Sequence, residues 1–225
     1  MEQISTSVRL GKIELAGDIC VPDRARGLVL FAHGSGSSRH SPRNRHVADV
    51  LNRGGIGTIL IDLLTAEEEA VDLRTAELRF DIALLGQRLT NITDWIGQQE
   101  ELRDLALGFF GASTGAAAAL VAAAERPKIV RAVVSRGGRP DLAGPALGRV
   151  LAPTLFVVGE KDQVVLDLNR LAIAQLPPAT EHKLEVIAGA THLFEEPGTL
   201  DIASALARDW FRQYLNTGSA RPEVI

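Results

Sequence analysis

The sequence has 225 residues, of which 46% are hydrophobic and 23% are charged, and its formal net charge is −4. These values are typical of an ordinary soluble globular protein, and the negative charge gives no reason to expect binding to nucleic acid or to an anionic membrane. The lone Cys20 excludes an intrachain disulfide and any paired-cysteine zinc or redox site. The chain shows no signal-peptide pattern and no apolar run long enough to cross a bilayer, so we expect a cytoplasmic protein.

The first half of the chain begins with alternating apolar and polar residues and continues with an uninterrupted apolar run. Residues 1–22 alternate apolar and polar side chains, which predicts an antiparallel hairpin or meander. The run 27–33 is apolar throughout and predicts a strand that is buried on both faces. Ser41 and Pro42 then supply an N-cap and a first-turn proline for a helix that ends at 54–55.

Strands and helices alternate through the rest of the chain. A strand is predicted at 58–62, a polar, acidic connection at 65–75, an amphipathic helix at 80–98 and a buried strand at 105–110. The remaining predicted elements are strands near 132–135, 154–158 and 183–187 and helices near 116–124, 164–175 and 200–215.

This alternation predicts an α/β fold with a mostly parallel central sheet and helices on both of its faces. No repeat, linker or low-complexity segment divides the chain, so we expect a single domain over residues 1–225. Its last ten residues, 216–225, are expected to form a flexible tail.

Residues 111–115 read Gly-Ala-Ser-Thr-Gly, and this G-x-S-x-G pattern lies between the buried strand and an Ala-rich helix. A strand, a sharp turn and a helix form the nucleophile elbow, which presents one serine at the end of a strand. In so tight a turn, a side chain at Gly111 or Gly115 would collide with the neighbouring strand or helix. Ser113 is therefore the candidate nucleophile.

A serine nucleophile needs a base that takes its proton and an acid that orients the base. Two further strands end in suitable residues, since 154–158 runs into Asp162 and 183–187 runs into His192. Reactive groups of open α/β sheets gather at the carboxyl ends of the strands. The chain order is thus serine, acid, histidine, as in α/β-hydrolases, with Glu160 as the alternative acid.

With these motifs the chain resembles the α/β-hydrolase fold, and most of all its small dienelactone-hydrolase-like branch. The resemblance covers about residues 27–214 and is carried by His33-Gly-Ser-Gly36, Gly111-Ala-Ser-Thr-Gly115, Gly159-Glu-Lys-Asp162 and Gly189-Ala-Thr-His192. It implies that Ser113 is the nucleophile, His192 the general base and later acid, and Asp162 the orienting acid. Dienelactone hydrolases proper use cysteine, so the serine points to ordinary ester or thioester chemistry. No cofactor is expected, and the scattered histidines predict no metal site.

An oxyanion needs two backbone N–H donors. The amide of Thr114, which follows the nucleophile at a helix N-terminus, is the first expected donor. The second is expected in the loop that follows the first long strand, where the family's His-Gly pattern lies; Ser35 is the preferred residue and Gly34 the alternative. His33 is expected to brace this loop.

Arginines are concentrated at the same predicted edge of the sheet. Residues 37–46 carry three arginines and two histidines, and Arg136 follows another strand. Guanidinium groups at the mouth of a cleft favour a carboxylate or phosphate on a substrate, and Arg39 and Arg136 are the preferred candidates. The alternative is that the arginines pair with the acidic run 67–69.

The connection between the strands at 132–135 and 154–158 is too short for the helical lid that many α/β-hydrolases insert there. An open cleft disfavours long-chain lipids. The sequence therefore predicts a cofactor-free serine hydrolase of a small ester or thioester. If the arginines bind the substrate, we expect that substrate to carry a negatively charged group. Two alternatives stay open: an amide or peptide hydrolase with the same triad, and a non-catalytic binding protein on the same fold.

Overall fold

The structure, a computed structural model, describes residues 3–216, and a single eight-stranded sheet lies at its centre. The strand order is β1-β2-β4-β3-β5-β6-β7-β8. β1 and β2 form the predicted hairpin and β2 pairs antiparallel with β4, whereas all pairs from β4 to β8 are parallel. The strands are β1 Ile4–Leu10, β2 Ile13–Cys20, β3 Gly27–Ala32, β4 Gly57–Ile61, β5 Ala106–Ala112, β6 Val130–Arg136, β7 Thr154–Gly159 and β8 His182–Ile187.

Six α-helices accompany the sheet in the described part of the chain. They are α1 Pro42–Arg53, α2 Ala66–Thr75, α3 Ile82–Ile96, α4 Thr114–Glu125, α5 Gln163–Ile173 and α6 Thr199–Leu215. Two short 3₁₀ segments, Leu78–Phe80 and Pro140–Arg149, complete the connections. Within residues 3–216, no helix combines the length and apolarity that a membrane span requires.

The helices cover both faces of the sheet, which confirms the predicted layers. α1 and α6 pack on one face and α3 and α4 on the other. β3 contributes to both sides: Phe31 lies in the core under α1 and α6, whereas Leu30 lies in the core under α3 and α4. A strand that is buried on both faces needs apolar residues at every position, which explains the continuous apolar run.

The predicted acidic connection after β4 is in fact the helix α2. Thr65 caps it and forms a capping box with Glu68, whose carboxylate accepts the Thr65 N–H. α2 has one buried residue, Asp72, and leaves Leu73 72% exposed. Its attachments are ionic: Glu68 lies 2.5 Å from Arg88 of α3.

The start of one other helix differs from the prediction. The helix expected from residue 80 begins at Ile82, because the side chain of Asp81 accepts the Leu84 N–H as its N-cap, and Phe80 lies in the preceding 3₁₀ turn. The expected flexible tail, 216–225, lies outside the described residues apart from Asn216.

α3 and α4 approach each other closely at one position, where α3 has a glycine. α4 is Ala-rich, and it meets α3 at Gly86. A Cβ at Gly86 would lie 2.7 Å from Cγ1 and 3.0 Å from Cβ of Val121. The stiff valine side chain leaves no room for a methyl group there.

Replacement of Gly86 by alanine tests this contact. Alanine improves helix propensity, but overpacking costs about 1–3 kcal/mol, so we expect Gly86→Ala to lower the free energy of unfolding. The additional substitution Val121→Ala should recover most of that loss. Urea unfolding of the two single variants and the double variant measures both effects, and additive losses would contradict the proposed contact.

Candidate active site

The turn between β5 and α4 holds Ser113 in a backbone conformation that L-residues rarely adopt, with φ 50° and ψ −122°. A Cβ at Gly111 would lie 2.4 Å from the Cα of Ala116. A Cβ at Gly115 would lie 2.2 Å from the carbonyl oxygen of Ala32. No side chain fits at these distances, so both glycines are sterically required for the turn, as the sequence predicts.

The side chains of Asp162 and His192 meet at the same edge of the sheet. Nδ1 of His192 lies 2.6 Å from Oδ2 of Asp162, across the loops that follow β8 and β7. Glu160, the alternative acid, instead accepts the backbone N–H of Gly189 at 2.7 Å. A proton held on Nδ1 by the carboxylate leaves Nε2 of His192 available as an acceptor.

Ser113 and His192 line one open cleft of about 260 Å³. No helical insertion covers it, since the connection from β6 to β7 contains only a 3₁₀ segment, Pro140–Arg149. Among residues 3–216, no group of three His, Cys, Asp or Glu side chains could hold a metal ion. The residues around the cleft are Gly34, Ser35, Ser37, Ser41, Arg43, Asn44, Ala112, Ser113, Arg136, Gly137, His192 and Leu193.

His33 fixes the loop that follows β3. Its Nε2 accepts the backbone N–H of Leu63 at 3.1 Å, so the ring proton sits on Nδ1, which lies 3.0 Å from the carbonyl oxygen of Gly34. Burial lowers the pKa of His33, because the charged imidazolium would be poorly solvated there. The histidine thus braces the loop in its neutral form, as expected.

The loop after β3 reaches Ser113 and the start of α4. A Cβ at Gly34 would lie 3.0 Å from Cβ of Ser113. The backbone N–H of Ser35 donates to Oγ1 of Thr114 at 2.9 Å. The N–H of Thr114 has no acceptor in the described part of the chain. Two backbone donors, 35 and 114, therefore lie beside the serine, one of them already bonded to a hydroxyl.

Arg39 lies outside the cleft. Its guanidinium forms an ion pair with Asp62 and lies 3.7 Å from Asp18. The alternative, in which the arginines of the loop 37–46 pair with residues 67–69, is not what the structure shows. Arg39, Arg43 and Arg45 instead form ion pairs with other carboxylates. The physical reason is that α2 turns Glu68 toward Arg88 of α3.

Arg136, in contrast, is buried and lines the cleft. Its Nη2 donates to Oδ1 of Asn44 at 3.3 Å. Sequence reasoning did not single out Asn44 or its neighbour Arg43. The usable signal was the N-cap at Ser41, because the first turn of a helix that begins at the carboxyl edge of a sheet faces the cleft there.

Comparison with known proteins places the chain among hydrolases. A dienelactone hydrolase from Anabaena variabilis is 56% identical, with a TM-score of 0.93 over 95% of this chain and 98% of that one. An esterase from Pyrococcus furiosus has the same fold at 14% identity, with a TM-score of 0.75 over 95% of this chain and 92% of the other. No protein-family model matches the chain.

A curated relative from Mycobacterium tuberculosis carries a different, provisional name, that of a phosphoribosyl transferase. It is 57% identical over 205 residues, which cover 91% of this chain and 45% of the relative. The chain therefore spans less than half the length of this relative.

Two substitutions of Ser113 should separate the effect of backbone strain on stability from the effect of the hydroxyl group. Ser113→Gly removes both, whereas Ser113→Ala removes only the hydroxyl, and a strained non-glycine residue costs about 1–3 kcal/mol. We expect the glycine variant to be about 1 kcal/mol more stable than the alanine variant. Chemical denaturation of the two proteins measures the difference, and equal stabilities would argue against a strained turn.

The lowered pKa of His33 predicts a loss of stability in mild acid. Below pH about 6.5 the unfolded chain binds a proton at this histidine that the folded chain does not, so unfolding becomes more favourable as the pH falls. The expected loss is at most about 1.4 kcal/mol for each pH unit. Unfolding measured at pH 7.5 and 5.5 should show a steeper decrease in the wild type than in His33→Asn, and parallel slopes would contradict the assignment.

Proposed function

The chain belongs to the dienelactone hydrolase family of α/β-hydrolases, and we propose that it is a serine hydrolase that cleaves a small carboxylic ester or thioester. The observation that carries the proposal is the contact of 2.6 Å between His192 and Asp162, in a cleft that Ser113 shares. A serine at a strained elbow beside an acid-oriented imidazole is the arrangement that acyl transfer requires.

In the proposed reaction, Oγ of Ser113 attacks the acyl carbon while Nε2 of His192 takes the hydroxyl proton. Asp162 holds the imidazole in the Nδ1–H tautomer and stabilises its charged form. The tetrahedral intermediate collapses as His192 gives the proton to the leaving alcohol or thiol, which leaves an acyl-enzyme. Water activated by the same histidine then releases the acid and restores the serine.

The amides of Thr114 and Ser35 are the proposed oxyanion donors. The Thr114 N–H has no acceptor within the described residues and lies at the N-terminus of α4, where the helix dipole favours negative charge. The Ser35 N–H lies next to the same residue, since its acceptor is Oγ1 of Thr114. A substrate oxyanion would replace that hydroxyl as the acceptor. Gly34 remains the alternative to Ser35.

The size of the cleft supports a small acyl group. A volume of about 260 Å³ without a covering lid offers little apolar surface to a long fatty chain. Amide cleavage by the same three residues begins with the same steps, so substrate comparison must decide between the two activities. The transferase name belongs to a relative of which 45% is matched, and it does not by itself assign that activity to the matched part.

Hydrolysis of p-nitrophenyl acetate, butyrate and octanoate tests the proposal. We expect turnover of the two short esters, weaker turnover of octanoate, and a loss of at least about a thousandfold in kcat for Ser113→Ala. Asp162→Asn should lose a similar factor because the imidazole then adopts the wrong tautomer. The matched control is Glu160→Gln, two residues away, which should keep most of the activity.

A fluorophosphonate probe gives an independent readout, because it labels only an activated serine. Labelling should require Ser113 and should fall strongly in His192→Ala. Labelling that survives Ser113→Ala would disprove the assignment of the nucleophile, and a folded wild type that neither labels nor turns over any ester would favour the non-catalytic alternative.

A further inference from the structure

Arg136 is a buried cation without a carboxylate. It stands at the end of β6 with 6% of its surface exposed, and none of the carboxylates in residues 3–216 lies within ion-pairing distance of it. Its Nε has no hydrogen-bond partner, and its Nη2 donates to the neutral side chain of Asn44. The ring of Phe194 lies 5.6 Å from the guanidinium. A buried charge is costly unless an opposite charge meets it.

The second buried arginine of the described chain, Arg88, has a carboxylate that compensates its buried charge. Arg88 has the same exposed fraction, 6%, but its Nη2 lies 2.5 Å from Oε1 of Glu68. Arg88 faces the interior between α2 and α3, whereas Arg136 lines the cleft beside Ser113. The missing counter-charge of Arg136 is therefore at a place that a ligand can reach.

Arg136 also stays charged at neutral pH. Burial and the positive charge of Arg43 lower its pKa to about 10, which is still well above neutral pH. The guanidinium is thus protonated, and it repels the guanidinium of Arg43.

The first turn of α1 adds further groups that favour an anion. Arg43 lines the same cleft, and its partner Glu195 is 3.5 Å away with 65% of its side chain exposed, so a ligand can replace that carboxylate. Ser37 and Ser41 line the same cleft, and the Ser41 hydroxyl also accepts the Asn44 N–H as the N-cap of α1. The N-terminus of a helix is itself a favourable position for negative charge.

We propose that Arg136, Arg43, Ser37, Ser41 and the N-terminus of α1 form an anion subsite, and that the substrate of this hydrolase carries a phosphate group which binds there. The proposal rests on the proposed function, since it describes the part of the substrate that lies beside the ester. Two guanidinium groups and two hydroxyls offer more donors than the two oxygens of a carboxylate use, and the dipole of α1 adds to the attraction for negative charge. A doubly charged, tetrahedral phosphate matches both their number and their charge.

Binding of inorganic phosphate tests the anion subsite without any catalysis. Calorimetric titration of the full chain carrying Ser113→Ala, with acetate as the comparison ligand, should give tighter binding of phosphate. Charged hydrogen bonds of this kind correspond to about 10- to 100-fold in affinity, so Arg136→Gln should weaken phosphate binding by that factor. Arg53→Gln, which removes the same charge from the exposed far end of α1, is the matched control and should leave binding unchanged.

Three p-nitrophenyl esters of equal chain length test the substrate class. They are the esters of butyric acid, succinic acid and 3-phosphonopropionic acid, which end in a methyl, a carboxylate and a phosphonate group. With spontaneous hydrolysis subtracted, we expect kcat/KM to be highest for the phosphonate ester. The ratio of phosphonate to butyrate should fall at least about tenfold in Arg136→Gln. Arg43→Gln, on the first turn of α1, provides a second variant if Arg136→Gln does not fold.

Each result separates the proposals. Equal kcat/KM for the phosphonate and butyrate esters, with turnover that depends on Ser113, would overturn the anion subsite and leave the hydrolase. Phosphate binding that depends on Arg136, without Ser113-dependent turnover of any ester, would overturn the hydrolase and leave the subsite. A carboxylate ester that equals or exceeds the phosphonate ester would overturn the assignment of phosphate.

Discussion

A backbone contact that leaves no room for a side chain holds the reactive edge of this protein together. β3, β5 and α4 meet where the Cα of Gly115 faces the carbonyl oxygen of Ala32, and a single methyl group would drive them apart. The same contact brings the loop with Ser35 against the start of α4. One steric requirement, which only glycine meets at residue 115, therefore fixes the position of Ser113. It also fixes the backbone donors beside Ser113 and the loop that His33 braces.

Most of the fold could be predicted from the sequence because its central strands, β3 to β7, are buried on both faces. Such strands need apolar residues at every position, and runs of this kind are visible without any knowledge of their neighbours. α2 is the exception. Its one buried residue is the carboxylate Asp72, so the apolar periodicity that reveals the other helices is absent, and the capping box of Thr65 and Glu68 was the remaining signal.

Some residues of the candidate site could likewise be predicted from the local sequence, whereas the role of others depends on contacts between distant parts of the chain. The three residues Ser113, Asp162 and His192 each follow a strand, so the parallel sheet brings them to one edge. Arg39 and Arg136 follow strands at that edge too, and the sequence does not distinguish them. The difference lies in what the fold places opposite: Asp62 and a β2 carboxylate meet Arg39, whereas an uncharged amide meets Arg136. Such pairings join distant parts of the chain and need the tertiary structure.

The attachment of α2 has a consequence for the behaviour of the molecule in different media. Helices α1, α3, α4 and α6 are held by apolar surfaces, whose attraction does not decay with dissolved ions. α2 leaves Leu73 in solvent and is joined to the neighbouring segments through two largely buried ion pairs, Glu68–Arg88 and Asp72–Arg79. Dissolved ions screen such pairs much less than they screen exposed ones, whereas loss of one partner leaves the other charge buried and alone. Added salt should therefore leave this segment in place, while a neutral substitution at Glu68 or Arg88 should release it from the fold beside the site.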